Sequence, residues 1–173
     1  MLTDIADGLA ALAAAGIVDP RRACIVGGSY GGYAALAGVT VQQGLYRCAV
    51  AVAGVADLPA FVGWKQRGSG SKSAGLRFLR EAIGAEDGAA MARLSSRQLA
   101  ARADAPVLLI HGIDDTVVPV AQSEAMADAL GRAGKPHEFI RMKGEDHWLS
   151  RDETRTAMLE ASVAFLRRHN PAN

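Results

Sequence analysis

The chain has 173 residues, and its 19 basic and 18 acidic side chains nearly cancel to a formal net charge of +1. Half of the residues (50%) are hydrophobic and 21% are charged, which excludes intrinsic disorder and fits one domain, taken as residues 1–173. The balanced charge leaves no basic footprint for nucleic acid or for an anionic membrane, so we expect neither as a partner.

The first predicted element is an amphipathic helix. Its apolar residues recur at helical spacing: Leu2, Ile5, Leu9 and Leu12. Gly16 predicts the end of this helix. Asp4 and Asp7 precede the apolar stretch, whereas a secretory signal would begin with basic residues, and the stretch is shorter than the ~20 residues that span a bilayer. We therefore expect a cytoplasmic chain, although a longer parent protein would carry any export signal upstream.

Short apolar runs bounded by turn residues predict four strands, at residues 23–27, 48–53, 107–111 and 138–142. The first three runs are continuous rather than alternating, which is typical of parallel strands covered on both faces. Helical periodicity follows at residues 33–43, 76–83, 120–130 and 154–168. This alternation predicts an α/β fold, with a mostly parallel sheet of about four strands flanked by helices.

The connection after the second strand is long, and its role is open. It contains the tract Gly-Ser-Gly-Ser-Lys-Ser at residues 68–73, for which we predict a flexible, exposed loop. Asp57, Phe61 and Trp64 in the same connection either line a substrate pocket or pack beneath the loop.

The two cysteines, Cys24 and Cys48, are too few for a disulfide scaffold and lack metal-ligand spacing. They fall on neighbouring predicted strands. We expect them to pack as small core hydrophobes.

A glycine-rich turn joins the first strand to the next helix. Residues 27–31, Gly-Gly-Ser-Tyr-Gly, fit the G-x-S-x-G nucleophile elbow, a strained turn that exposes a serine, here Ser29. The residues two positions from Ser29 must be glycine to avoid a clash, and Gly28 and Gly32 leave further room. A structural glycine turn or a phosphate loop is the alternative, but the Lys-Ser or Lys-Thr pair of a P-loop is missing.

A nucleophilic serine needs a base that a carboxylate orients. Asp114 and Asp115 follow the third strand and His147 follows the fourth, so a parallel sheet brings them to the same edge as Ser29. The chain order Ser, Asp, His is that of α/β hydrolases. Alternatively, an aspartate here caps the next helix and His147 is a surface residue. His111 closes a buried strand, and we expect it to be a core histidine with satisfied hydrogen bonds.

At these residues the sequence resembles the catalytic domain of the prolyl oligopeptidase family of serine peptidases, in its acylaminoacyl-peptidase and dipeptidyl-peptidase branch. The matching motifs are Gly-Gly-Ser29-Tyr30-Gly-Gly-Tyr33, His111-Gly-x-x-Asp115-x-x-Val118-Pro119 and Gly144-Glu145-x-His147. Residues 16–22 are also similar to that family's segment before the elbow, so the resemblance covers nearly the whole chain. Where many relatives have Glu-Gly-His, this chain has Glu-Asp-His.

The resemblance implies a serine hydrolase that cleaves short peptides through an acyl-enzyme. Ser29 would attack the carbonyl, His147 would move the proton, and Asp115, chosen over Asp114 by the His-Gly-x-x-Asp spacing, would orient His147. The backbone N–H of Tyr30 would be an oxyanion donor, with Gly28 beside it at the substrate. No cofactor and no metal is implied, because the triad supplies both nucleophile and base.

The family's catalytic domain begins upstream of residue 1, so we expect a partial α/β-hydrolase fold that lacks the N-terminal strands. Right-handed crossovers lead to the same expectation, because they put the three connecting helices on one face of the sheet and leave only the last helix for the other. Two stripes are candidates for its inward side: Met158, Ser162 and Phe165, or Leu159, Val163 and Leu166. The first strand would expose an unpaired edge, so we expect pairing with another copy, another chain or a missing N-terminal segment.

Two other functions stay open. A carboxylesterase acting on small esters would use the same triad and need little from a specificity pocket. A truncated, non-catalytic fragment would keep the triad residues and act through association. A peptide or a small ester is therefore the expected substrate.

Overall fold

The computed structural model describes residues 2–70, 72–85 and 87–172, with Leu2 described for its backbone only. The elements in chain order are α1 (Leu2–Ala14), β1 (Ile25–Gly28), α2 (Tyr30–Ala37), β2 (Ala49–Val52), α3 (Leu58–Ser69), α4 (Ala74–Ile83), α5 (Gly88–Arg93), β3 (Val107–Gly112), α6 (Ala121–Arg132), β4 (His137–Met142) and α7 (Asp152–His169). A π-helical turn, Gly38–Gln42, extends α2, and 3-10 turns at Pro20–Arg22 and Ala100–Arg102 precede β1 and β3.

The strands form a four-stranded parallel sheet in the order β1-β2-β3-β4 within the described residues. In register, Ile25 lies beside Ala49, Ala49 beside Val107, and Val107 beside His137. Because all strands run the same way, the loops that follow them meet at one edge. This sheet confirms the α/β architecture predicted from the apolar runs.

Each face of the sheet has its own core. On one face α2, α6 and the turn before β3 pack on Ala49, Val107 and other strand residues. On the opposite face α7 packs on Val50, Leu108 and Ile110 through Phe165, which is almost fully buried. Burying one such side chain contributes about 1.5–3 kcal/mol.

The inward side of α7 is the first of the two predicted stripes. Ser162 and Phe165 are buried and Met158 packs against the same core. Leu159 and Val163 of the other stripe are exposed, although Leu166 also reaches the core. The last helix therefore covers the face that the connecting helices leave open, as the crossover rule predicts.

The helices α3, α4 and α5 form a third apolar cluster with Val118 of the loop after β3. Helical periodicity predicted α4 but not α3 or α5. The prediction of a flexible loop at 68–73 is wrong at its ends: Gly68 and Ser69 belong to the last turn of α3, and the Ser73 side chain caps α4 by accepting the Leu76 N–H at 3.2 Å. Ser71 lies outside the described residues. Ser69 and Ser73 therefore lie at helix ends, and Ser73 acts as an N-cap.

Cys24 and Cys48 form a disulfide, a bond that the sequence did not predict. Both border the core beneath α7, as expected for small apolar side chains. The parallel register sets them side by side just before β1 and β2, with Cα atoms 4.9 Å apart, within the range that a disulfide bridges. The bond therefore ties the edge strand β1 to its neighbour.

The outer side of the molecule keeps apolar groups on the surface. Val26 of the edge strand β1 is exposed, and so are Ile5 and Leu12 of α1. Gly16 ends the α1 segment with a positive φ, as predicted. None of the described helices combines the length and the hydropathy needed to cross a membrane.

Candidate active site

Ser29 occupies a sharp turn between β1 and α2. Its φ is 57° and its ψ is −116°, a region that residues other than glycine rarely adopt and that costs about 1–3 kcal/mol. Two backbone hydrogen bonds hold the turn: the Ser29 N–H donates to the Val52 carbonyl at 2.8 Å, and the Tyr33 N–H donates to the Ser29 carbonyl at 3.1 Å. The serine hydroxyl is thus presented at the carboxyl edge of the sheet.

Close backbone approach at the elbow explains only some of its glycines. A Cβ on Gly27 would collide with the backbone of Gly31, and a Cβ on Gly32 would lie 2.7 Å from the Cα of Gly54. Gly31 itself has open space, and at Gly28 a Cβ would meet only the Val52 carbonyl at 3.8 Å. Glycine at position 31 is therefore not required for space, contrary to the prediction, and Gly28 leaves room at the end of β1.

His147 lies between Ser29 and Asp115. Its Nδ1 is 2.7 Å from Oδ2 of Asp115, and its Nε2 is 3.0 Å from Oγ of Ser29. Because the carboxylate oxygen only accepts, Nδ1 carries the proton and Nε2 is left to accept the hydroxyl proton of Ser29. This tautomer can take a proton from the serine.

Asp115 is buried, and each of its carboxylate oxygens has partners. Oδ1 accepts the N–H groups of Val117 and Val118, both at 2.8 Å, and Oδ2 faces His147. Asp114, the other candidate, is exposed. The carboxylate therefore closes its own loop and meets His147. The helix-cap alternative is wrong, because no described side chain caps the N-terminus of α6.

His111 is fully buried behind this carboxylate and is satisfied, as predicted. Its Nε2 is 2.9 Å from the Val118 carbonyl and 3.2 Å from Oδ2 of Asp115, and its Nδ1 is 2.7 Å from Oγ of Ser123. Nε2 faces acceptors and so bears the proton, while Ser123 donates to Nδ1. Burial lowers the pKa of His111, against the opposing effects of the Val118 carbonyl and Asp115, so the contact with Asp115 is a hydrogen bond of a neutral ring.

The loops after β3 and β4 touch through Gly112. A Cβ there would collide with the Glu145 carbonyl and lie 2.6 Å from that of Asp146, and the Asp114 N–H donates to the Glu145 carbonyl at 2.9 Å. This contact fixes the loop of His147 against the loop of Asp115. This role of Gly112 was not predicted; the available signal was its position between His111 and the two aspartates.

Asp146 organises the turn after the histidine. Its carboxylate accepts the N–H groups of Trp148 and Ser150, at 2.9 and 3.3 Å, and the Ser150 hydroxyl at 2.7 Å. The hydroxyl bond, ahead of the backbone bonds, lowers the pKa of Asp146. The residue that departs from Glu-Gly-His therefore has a local structural use.

An apolar cavity of about 470 Å³ opens beside Ser29. The residues that line it come from α1, the elbow, the connection after β2 and the loop after β3: Thr3, Ser29, Tyr30, Tyr33, Val55, Leu58, Phe61, Leu79, Ala82, Ile83, Leu94, Val117 and Val118. Tyr33 donates its hydroxyl to the Leu94 carbonyl at 3.1 Å, and burial raises its pKa. The cavity can take an apolar side chain next to the serine.

Asp57, Phe61 and Trp64 were expected either to line a substrate pocket or to pack beneath the loop, and the structure shows both arrangements. Phe61 lines the cavity, whereas Trp64 packs behind it, with ring centroids 6.0 Å apart. Asp57 is buried elsewhere: it caps α3 by accepting the Ala60 N–H and pairs with Arg97 at 2.8 Å. Among the described residues no cluster of His, Cys, Asp and Glu side chains is suited to hold a metal ion.

The sequence profile of the prolyl oligopeptidase family matches residues 1–171. A solved puromycin-hydrolyzing peptidase of Mycobacterium tuberculosis aligns with 99% of the chain at 31% identity and a TM-score of 0.86. The acylaminoacyl peptidase of Pyrococcus horikoshii aligns with 99% at 26% identity and a TM-score of 0.82. Dipeptidyl aminopeptidase BIII of Pseudoxanthomonas mexicana is 26% identical over 96% of the chain.

The chain spans only about a quarter of each of these proteins: 25%, 28% and 24% of their lengths. Over that part the likeness confirms the predicted α/β-hydrolase fold and the resemblance noted at the three motifs. By its sequence and its fold, this chain belongs to the prolyl oligopeptidase family.

Proposed function

We propose that this chain carries the catalytic centre of a serine peptidase, with Ser29 as nucleophile, His147 as general base and Asp115 as the acid that orients the base. The observation that carries the proposal is the continuous hydrogen-bonded path from Oγ of Ser29 through the imidazole of His147 to the carboxylate of Asp115. Membership in a family of peptidases supports the same reaction class.

Acylation would begin when Oγ of Ser29 attacks the substrate carbonyl and passes its proton to Nε2 of His147. The carbonyl oxygen becomes an oxyanion beside the N-terminus of α2, where Tyr30 supplies the first amide. Amides in the first turn of a helix have no carbonyl one turn earlier to bond, so they are free to stabilise developing negative charge. His147 then protonates the leaving amine as the C–N bond breaks.

Deacylation would repeat these steps with water. His147 accepts a proton from the water as its oxygen bonds to the acyl carbon, and returns a proton to Ser29 as the ester bond breaks. Asp115 stays ionised throughout, because its role is to hold the Nδ1–H tautomer and to stabilise the imidazolium that forms.

The substrate we propose is a short peptide or aminoacyl amide with an apolar side chain on the acyl side of the cleaved bond. The support is the cavity beside Ser29, in which Phe61, Leu79 and Val118 are among the lining residues. One of the solved structures that this fold resembles is a puromycin-hydrolyzing peptidase.

A fluorophosphonate probe followed by intact mass tests the nucleophile, since the probe bonds covalently only to an activated serine. We expect one adduct on the wild type and none on Ser29→Ala. Ser69→Ala, which removes an exposed serine that bonds the Lys65 carbonyl, is the matched control and should label like the wild type.

Turnover of an N-acetylphenylalanine p-nitroanilide and of the matching p-nitrophenyl ester then separates the candidate functions. Hydrolysis of both supports the peptidase. Labelling with ester hydrolysis alone would replace it by the carboxylesterase. No labelling of a folded wild type would contradict the proposal and favour the non-catalytic fragment.

A further inference from the structure

Trp148 directly follows the proposed base and is one of the most exposed large apolar residues, at 74%. Its ring meets the imidazole of His147 edge-on, with centroids 5.1 Å apart and planes at 86°. An indole is a large apolar surface with specific contact geometry, and it is favoured where a binding partner covers it. Its position beside His147 therefore points to a ligand of the active site.

Hydrogen bonds within the turn hold Trp148 at the surface. The Asp146 carboxylate accepts the N–H of Trp148 and grips Ser150, so both sides of the turn are fixed. Between them Leu149 adopts a φ of 50° and is buried in the core beneath α7. A strained residue that is not glycine suggests a function for the conformation that it maintains.

Trp148 does not line the apolar cavity, although both adjoin the proposed catalytic residues. The cavity is lined by Ser29, Tyr30 and Val118, and Trp148 is not among its lining residues. Nε2 of His147 must take the proton from Ser29 and deliver it to the leaving nitrogen, so the leaving group has to lie next to the imidazole. An acyl side chain in the cavity leaves the region of His147 and Trp148 to the leaving group.

We propose that Trp148 forms the binding surface for the leaving-group side of the substrate, and that it favours amines that carry a flat, apolar group. This inference rests on the proposed function, because it assigns a specificity residue to the same site. The indole would stack on the leaving group while His147 protonates its nitrogen.

Acyl transfer to added amines measures how well the leaving-group side of the site binds each amine. N-acetylphenylalanine p-nitrophenyl ester acylates Ser29, and an added amine then competes with water for the acyl group. The amine nitrogen bonds to the acyl carbon as the ester bond to Oγ breaks, and the amine proton passes through His147 back to Ser29. The acceptor thus occupies the position that a leaving amine vacates. The ratio of amide to free acid is read by liquid chromatography and mass spectrometry for glycinamide and for phenylalaninamide.

We expect the wild type to give a higher ratio of amide to free acid with phenylalaninamide than with glycinamide. Trp148→Ala should lower the phenylalaninamide ratio about 3- to 10-fold and leave the glycinamide ratio unchanged. Trp148→Phe should keep most of the preference. The matched control is Phe78→Ala, which removes an aromatic side chain 72% exposed on α4 and outside the cavity lining, and should change neither ratio.

These measurements distinguish failure of the leaving-group surface from failure of the proposed serine peptidase function. If the wild type forms the acyl-enzyme but Trp148→Ala changes neither ratio, or lowers both equally, the leaving-group surface is wrong and the nucleophile stands. If the wild type releases no p-nitrophenol and takes no fluorophosphonate, the proposed function fails, and this inference with it.

Discussion

The loops that bring Ser29 and His147 together are built in different ways. The elbow depends mainly on adjacent residues: strained Ser29 lies between a strand and a helix, and Gly27 makes room for the backbone of Gly31. It is also supported from the next strand by Val52 and Gly54. The loop of His147 depends on contacts distant in sequence, since Gly112 packs on the backbone of Glu145 and Asp115 bonds His147. A nucleophile can thus be specified by a short motif, whereas its base is specified by how two strand ends meet.

The largest effect should come from the carboxylate on the His147 side. Asp115→Asn keeps the shape but lets an amide N–H face Nδ1, which favours the tautomer that cannot accept the serine proton. We expect kcat to fall about 10⁴-fold, with the fold and KM retained. The measurement is ester and amide turnover, with circular dichroism to establish folding. Asp114→Asn, an exposed neighbour, is the matched control and should keep its activity. Equal losses in the two variants would contradict the choice of Asp115.

A smaller loss should follow from parting the two loops while leaving every triad residue in place. In Gly112→Ala the new methyl group collides with the backbone of the His147 loop. Misplacing a catalytic group by about 1 Å costs about 10²-fold, so we expect kcat/KM and the fluorophosphonate labelling rate to fall together by that order. Gly131→Ala in α6, where a Cβ meets only the His137 ring at 3.5 Å, is the control. Full activity of Gly112→Ala would show that the base does not depend on this contact.

The smallest effect concerns stability. The side of the site that carries the base contains a buried histidine, His111, whose pKa is lowered by burial, and the elbow contains none. The unfolded state then binds more protons than the native state at pH values between the lowered pKa and about 6.5. The free energy of unfolding should therefore fall as the pH drops through this window, and recover above it. Urea unfolding at pH 7.5 and pH 5.5 measures the difference, which we expect to shrink in His111→Gln. His137→Gln should keep the wild-type difference; an unchanged difference in His111→Gln would assign it to other groups.

Much of the fold could be read from the chain because its signals are local. Short apolar runs bounded by turn residues predicted every strand of the described sheet, and helical periodicity predicted α1, α2, α4, α6 and α7. The helix α5 was missed because it has only six residues. The helix α3 was missed because its second half, residues 65–69, carries no large apolar side chain to continue the helical pattern. The choice of inward stripe on α7 also stayed open, since both stripes are apolar.

The candidate site, like the fold, was predicted only where its signals are local in the sequence. Residue types and chain order singled out Ser29, Asp115 and His147, whose chemical roles stay predictions, and the elbow motif predicted the strained turn that Ser29 adopts. Which atoms meet was decided by packing: the tautomer of His147, the carboxylate shared with His111, and the cavity built from α3, α4 and the elbow. The disulfide of Cys24 and Cys48 belongs to this second group.

The sequence by itself determined the order of the strands and of most helices, and the conformations that depend on a few adjacent residues, because dihedral preferences and apolar periodicity act within one strand or one turn of helix. Only the tertiary structure decided which side chains lie within bonding distance. That depends on the parallel register, which sets Cys24 beside Cys48 and carries the loops after β1, β3 and β4 to one edge of the sheet.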